Sequence, residues 1–225
     1  MKIAVVAAGP GLGAAVARRF GREGFEIALI SRNPEKLAAE LEGEGLTVTA
    51  RKGDVLGEKA LTAALDAVGP VDVLLYHGSI ALTALAPVRA VTEESAQQAF
   101  DATVLGAITS VRAVLPGMIE RGRGTLLFTS GLSAIHPIPF LGNAGLAVAA
   151  QRNYALALAE SLAGTGVHVG YVPIGARIEP GSAAAPEKVA EAHWRLHADR
   201  DVHEVVLGDL KTVRAAVKAV EAAGR

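Results

Sequence analysis

The sequence contains no cysteine, which excludes a disulfide framework and any thiolate metal site. Aromatic residues are scarce, at 4% against 51% hydrophobic. The core must therefore be built from Ala, Val, Leu and Ile, residues that suit helices packed closely on a sheet buried on both faces. Neither sign of charge dominates: the formal net charge is −1, which leaves no electrostatic footprint for nucleic acid or an anionic membrane. Long apolar runs are also missing, because Gln151, Arg152 and Glu160 interrupt the longest candidate, so no membrane span is expected. Lys2 followed by the apolar stretch from Ile3 to Ala17 has the outline of a signal peptide. Gly9-Pro10-Gly11 breaks the helix such a segment needs, and Arg18-Arg19 follow with no small-residue cleavage site. A cytoplasmic location is the default expectation.

What is present is an alternation of short apolar runs and helical patterns over one expected domain, 1–225. Strands are predicted at 3–7, 25–30, 46–51, 71–76, 125–130, 167–172 and 204–207. Helices are predicted at 12–23, from the Asn33-Pro34 cap signal through Glu44, and at 58–68, 92–101, 103–120, 144–162, 186–197 and 211–223. The region 177–185, rich in Gly, Pro and Ala, reads as a loop. Strands separated by helices imply βαβ units, and hence an α/β fold with a doubly wound parallel sheet of Rossmann type, about seven strands flanked by helices on both faces.

Chemistry concentrates between the first strand and the first helix, in Ala7-Ala8-Gly9-Pro10-Gly11-Leu12-Gly13. Glycines there let the backbone turn tightly and approach a pyrophosphate, while the helix N-terminus points free N–H groups at it. The second strand ends Ile30-Ser31-Arg32. An acidic residue at that point would bind the ribose 2′-hydroxyl of NAD. A hydroxyl and a guanidinium suit a 2′-phosphate better, so NADP(H) is expected ahead of NAD(H).

With these motifs the chain resembles the short-chain dehydrogenase/reductase family nearly end to end. The family's TGxxxGxG pattern matches at Ala7, Gly11 and Gly13, with Ala in place of the first glycine. Asp54-Val55 resembles the adenine-contacting pair, and Tyr76-His77-Gly78-Ser79 falls where the family has an Asn-Ala-Gly turn. The segment 100–106 resembles the helix that carries a catalytic Asn, and 124–130 the strand that ends at the catalytic serine. Pro173-Ile174-Gly175 sits like the Pro-Gly turn that touches the nicotinamide. The segment 186–197 and the strand ending at Gly208 resemble the end of an atypical bacterial branch.

The resemblance also exposes losses. In the family a Tyr passes a proton to the carbonyl oxygen as hydride arrives, a Lys four residues on lowers the Tyr pKa and holds the ribose, and a Ser positions the substrate. Here Ala144 takes the Tyr position, Val148 the Lys position and Thr103 the Asn position, leaving Ser130. None of the three tyrosines has a lysine four residues later. His136, in a Pro-rich loop, is the candidate replacement proton donor, with Asn143 and His77 behind it. Tyr154 reads as a packing residue and Arg152 as a surface or interface residue. His193 and His197, spaced i,i+4 around Trp194, lack a third metal ligand and read as a solvated helix face, so no metal is expected. Two functions follow: an NADP(H)-dependent oxidoreductase of small carbonyl compounds with degenerate catalytic residues, or a non-catalytic NADP(H)-binding sensor, regulator or pseudo-enzyme subunit. The resemblance implies a homodimer or homotetramer.

Overall fold

The computed structural model describes residues 1–78 and 80–223, with backbone alone for 220–223. Seven parallel strands form one sheet in the order β3-β2-β1-β4-β5-β6-β7. The strands are β1 (Lys2–Val6), β2 (Glu26–Ser31), β3 (Val48–Lys52), β4 (Val73–Tyr76), β5 (Gly124–Gly131), β6 (Val167–Gly175) and β7 (Leu207–Gly208). The helices are α1 (Leu12–Gly21), α2 (Glu35–Gly43), α3 (Glu58–Val68), α4 (Glu93–Phe100), α5 (Gly106–Glu120), α6 (Gly142–Ser161), α7 (Pro186–Ala198) and α8 (Leu210–Ala223).

Strand side chains alternate between two cores. Ile3, Val5, Ile27, Leu29 and Leu127 face α1, α2 and α7. Ala4, Val6, Leu74, Tyr76, Phe128 and Tyr171 face α3, α5 and α6. Burial on both faces explains why these strands read as continuous apolar runs rather than alternating ones. The order reverses direction at β1, which pairs with β2 on one side and β4 on the other. A crevice outside the strand C-termini at such a point is where open α/β sheets bind ligands.

Few aromatics are available, and they are grouped. Trp194 of α7 meets Phe20 edge-on at 5.2 Å and Phe25 at 6.1 Å, with the Arg19 guanidinium 4.4 Å from the indole. This cluster closes the seam between α1 and α7.

Several predicted boundaries move. Asn33 provides no cap: the residue before α2 is Pro34, and no side chain accepts from the helix start. The two helices expected at 92–120 are joined by a π-helical segment, Asp101–Leu105, rather than broken. The join has a second consequence. Among the described residues the stretch Glu93–Glu120 is long and apolar enough, by length and composition, to cross a membrane, contrary to the expectation that no run reaches that length. Half of its most apolar window is buried inside the protein, as expected of a helix packed on a sheet. The last strand is only Leu207–Gly208, and Glu204 makes an isolated bridge to Tyr171.

Candidate functional site

The turn after β1 begins with Ala7, whose φ of 62° places a residue with a Cβ in the left-handed region. That conformation costs a non-glycine residue about 1 kcal/mol, and it falls where the family pattern has glycine. The Ala8 N–H donates to Ile30 O and the Ala14 N–H to Gly9 O, fixing the turn between β2 and α1. The glycines divide into two kinds. A Cβ at Gly13 would come within 3.0 Å of Ala8 Cα, so this glycine lets α1 pack on the strand end. A Cβ at Gly9 or Gly11 would meet nothing within 4 Å, so these two leave open space. No side chain caps α1, and its first turn carries no acid. The helix therefore presents bare N–H groups and its positive end.

That end opens into a cavity of about 790 Å³ at the β1/β4 switch point. Ala7, Gly9, Gly11, Leu12 and Gly13 line it from the turn, Ser31 and Arg32 from the end of β2. Asp54 and Val55 line it from the loop after β3, and His77 and Gly78 from the end of β4. The fold thus gathers most of the predicted cofactor residues around one space. Ile80, Ala81, Ala84, Gln98, Ala102 and Ile178 complete the wall and carry no sequence motif. Ser79 lies outside the described residues. Arg32 is exposed and forms no ion pair among the described residues, whereas neighbouring Lys52 pairs with Glu35 at 3.1 Å. Asp54 Oδ1 accepts from the Leu56 N–H at 3.0 Å, which folds the loop back under the cavity.

Tyr76 sets the height of the floor. It is fully buried, and its hydroxyl donates to the Ala102 carbonyl of the π segment. A Cβ on Gly78 or Gly106 would overlap the Tyr76 hydroxyl, so both positions require glycine to admit the ring. Burial pushes the Tyr76 phenol well above its ordinary pKa, and its hydroxyl is committed to the Ala102 carbonyl.

The predicted end of the sixth strand moves. β6 does not end at Val172 but runs to Gly175, with Pro173 opposite Ser130, and Ile174 between Gly131 and Leu207. Neither lines the cavity. A proline read as a strand terminator is here inside a strand, next to a two-residue neighbour whose ladder it hardly interrupts.

Beside the cavity, β5 and α6 carry the remaining candidates. Tyr171 of β6 is fully buried and donates its hydroxyl to the Val148 carbonyl at 3.1 Å, with Ser130 also at hand to that hydroxyl. Gln151, fully buried, donates Nε2 to the Thr103 carbonyl at 2.8 Å, while its Oε1 finds no partner. The Tyr171 hydroxyl and the Gln151 Nε2 beneath α6 thus both donate to backbone. His136 is exposed and, like Ser130, does not line the cavity. Asn143, only 1% exposed, is a clamp: Oδ1 accepts from the Ala86 N–H, and Nδ2 donates to the carbonyls of Ala84 and Ser95. Asn143→Ala would strand those loop groups. We expect a stability loss of about 3 kcal/mol in urea denaturation; a loss under about 1 kcal/mol would show that the loop holds without the clamp.

A profile of the short chain dehydrogenase family matches residues 2–185. The chain belongs to the short-chain dehydrogenase family. It is 32% identical over 172 residues to a cattle protein named dehydrogenase/reductase SDR family member 4, covering 71% of this chain and 61% of that protein. It is 30% identical over 191 residues to the NADP-dependent 3-hydroxy acid dehydrogenase YdfG of Salmonella typhi, covering 83% of this chain and 74% of that one. Among solved structures, a short-chain dehydrogenase from Rhodopseudomonas palustris superposes with a TM-score of 0.82 at 25% identity, over 92% of this chain and 98% of that one. An alcohol dehydrogenase from Thermococcus sibiricus, complexed with 5-hydroxy-NADP, gives 0.80 at 25% identity over 93% and 97%.

Within this short-chain dehydrogenase, the expected solvated face of α7 is a further correction. His193 has no exposed surface, and its Nε2 lies 2.7 Å from Thr129 Oγ1. His197 Nδ1 lies 2.9 Å from Thr125 Oγ1. The face of α7 that carries both turns inward because Val189, His193 and Leu196 form one stripe at helical spacing. No group of residues that could hold a metal occurs among the described residues. Arg152 is tied to Glu204 at 2.5 Å, and Tyr154 packs edge-on against Phe128 at 6.5 Å.

Proposed function

We propose that this short-chain dehydrogenase binds NADP(H) in the switch-point cavity and serves as a dinucleotide-binding sensor or regulatory subunit rather than as a fast carbonyl reductase. The observation that carries the reading is the uncapped N-terminus of α1, behind two glycines whose missing side chains leave open space. Diphosphate would lie there against backbone N–H groups. Ser31 and Arg32 at the rim suit a 2′-phosphate, and no acid stands in their place to favour a free 2′-hydroxyl. Relatives bearing NADP in their names, and one solved with an NADP derivative, support the same choice.

The cofactor supplies hydride; the protein must supply the proton. On the family alignment α6 offers Ala144 and Val148 for that task, and Tyr171 spends its hydroxyl on the Val148 carbonyl. The enzyme reading retains one specific support, Ser130, placed at the C-terminal end of β5 as the family serine is.

Calorimetry tests the cofactor. NADPH should bind more tightly than NADH, by about tenfold for one charge-assisted phosphate contact, and Arg32→Asp should erase the difference. Equal affinities in the wild type would remove the role given to Arg32. A second copy is proposed against α5 and α6, where Ile119 and Leu146 are exposed, as is Leu105 at the end of the π segment before α5. Light scattering that shows a monomer at micromolar concentration would discard it.

A further inference from the structure

Behind the cavity floor lies a buried polar cluster that the cofactor reading leaves unused. His77 lines the cavity at the end of β4 and is half-buried. Tyr76 pairs with Phe128 in the β4–β5 register, which sets His77 beside Thr129 at the strand ends, and Thr129 in turn contacts the fully buried His193 of α7. His193 Nε2 is engaged with Thr129 Oγ1 of β5 at 2.7 Å, while Nδ1 has no partner. An orphaned buried nitrogen costs stability unless another state satisfies it. In the tautomer that donates Nε2–H to Thr129, Nδ1 is a bare acceptor.

We propose that His77, backed by His193 and Thr129, is a titratable contact of the bound dinucleotide, so that cofactor binding is coupled to proton uptake at this pair. The inference rests on the proposed NADP(H) reading and deepens it. A neutral imidazole picks up a proton from solvent and becomes an imidazolium facing an anionic diphosphate.

The surroundings leave that role to the pair. The glycine turn and the first turn of α1 carry no ionisable group. From β5 and α7 come Thr129 and His193, which contact each other. Asp54 and Arg32 are the charged residues of the cavity wall, and Asp54 acts on Tyr76. Without an anion, burial holds His77 down at about 4 and His193 at about 3, so both are neutral at physiological pH. A diphosphate reverses the balance for the ring nearest to it. Sites that desolvate a histidine beside a space for an anion bind that anion together with a proton.

Calorimetric titration of the full chain with NADP+ at pH 7.5 and 6, in buffers of different ionisation enthalpy, counts the protons. The ligand's own 2′-phosphate titrates near pH 6 and contributes equally to every variant, so the difference from His77→Asn isolates the protein's share. If binding restores His77 to its ordinary value, wild type gains about fourfold in affinity relative to the variant on going from pH 7.5 to 6. His193→Gln should lower that gain, and His77→Gln repeats the test should the Asn variant fold poorly. Equal proton uptake by wild type and His77 variants that still bind NADP+ would overturn this inference and leave the cofactor reading standing. Absence of NADP+ binding in the wild type at either pH would overturn both.

Discussion

Gly9→Val is expected to fold with a melting temperature close to that of the parent and to lose at least about tenfold in NADPH affinity. The reasoning separates the two jobs that glycines perform in one turn. At Gly9 an added Cβ touches nothing within 4 Å, and the backbone is not in the left-handed region, so a side chain is sterically free. It would stand in the cavity where phosphate oxygens must reach the backbone. Gly13→Val is the contrast. Its Cβ would press on Ala8 Cα at 3.0 Å and Ala8 C at 3.3 Å, both backbone atoms, so the helix must shift at a cost of about 1–3 kcal/mol. Thermal melts and calorimetry on the two variants should therefore separate stability from binding. Gly9→Val binding NADPH as tightly as wild type would move the dinucleotide away from this turn altogether.

The second large effect is a gain. Ala144→Tyr with Val148→Lys should raise NADPH-dependent reduction of small aldehydes and ketones by at least about 100-fold, the lower range for a positioned proton donor. Both residues lie on α6, Ala144 half-buried and Val148 buried. The helix geometry that presents them one turn apart would present Tyr and Lys in the same relation. An added lysine would also have to rise past the Tyr171 hydroxyl that now holds the Val148 carbonyl. A double variant that still binds NADPH but reduces nothing would refute the alignment of α6. A wild type that already turns over briskly would refute the sensor reading and return attention to Ser130.

The sheet was legible because its central strands β1, β4 and β5 are largely apolar and helices such as α1 and α3 carry an apolar stripe at helical period. The glycine turn, the end of β2 and the Asp54-Val55 pair were legible because they are contiguous motifs. What failed depended on neighbours distant in sequence. Pro173 reads as a stop, yet it lies in β6 because its partners are the end of β5 and a minimal β7. His193 reads as part of a solvated face because the pair it makes with His197 lacks a third metal ligand. The stripe Val189, His193, Leu196 was the signal that could have placed it inside. The Tyr76 wedge needs glycine both two residues later and thirty residues away, and only the folded chain shows why. The backbone strain at Ala7 is likewise invisible in a letter code that offers alanine where helix or strand would serve equally well.

The grouping of Phe20, Phe25 and Trp194 has a practical consequence. Trp194 is the chain's single tryptophan, and it sits on the seam where α7 meets the helix whose N-terminus faces the cavity. Its emission, excited apart from the tyrosines, is a built-in optical gauge of how tightly those two helices are docked. It needs no label, and the edge-on rings and the Arg19 guanidinium make it sensitive to small displacements of the seam.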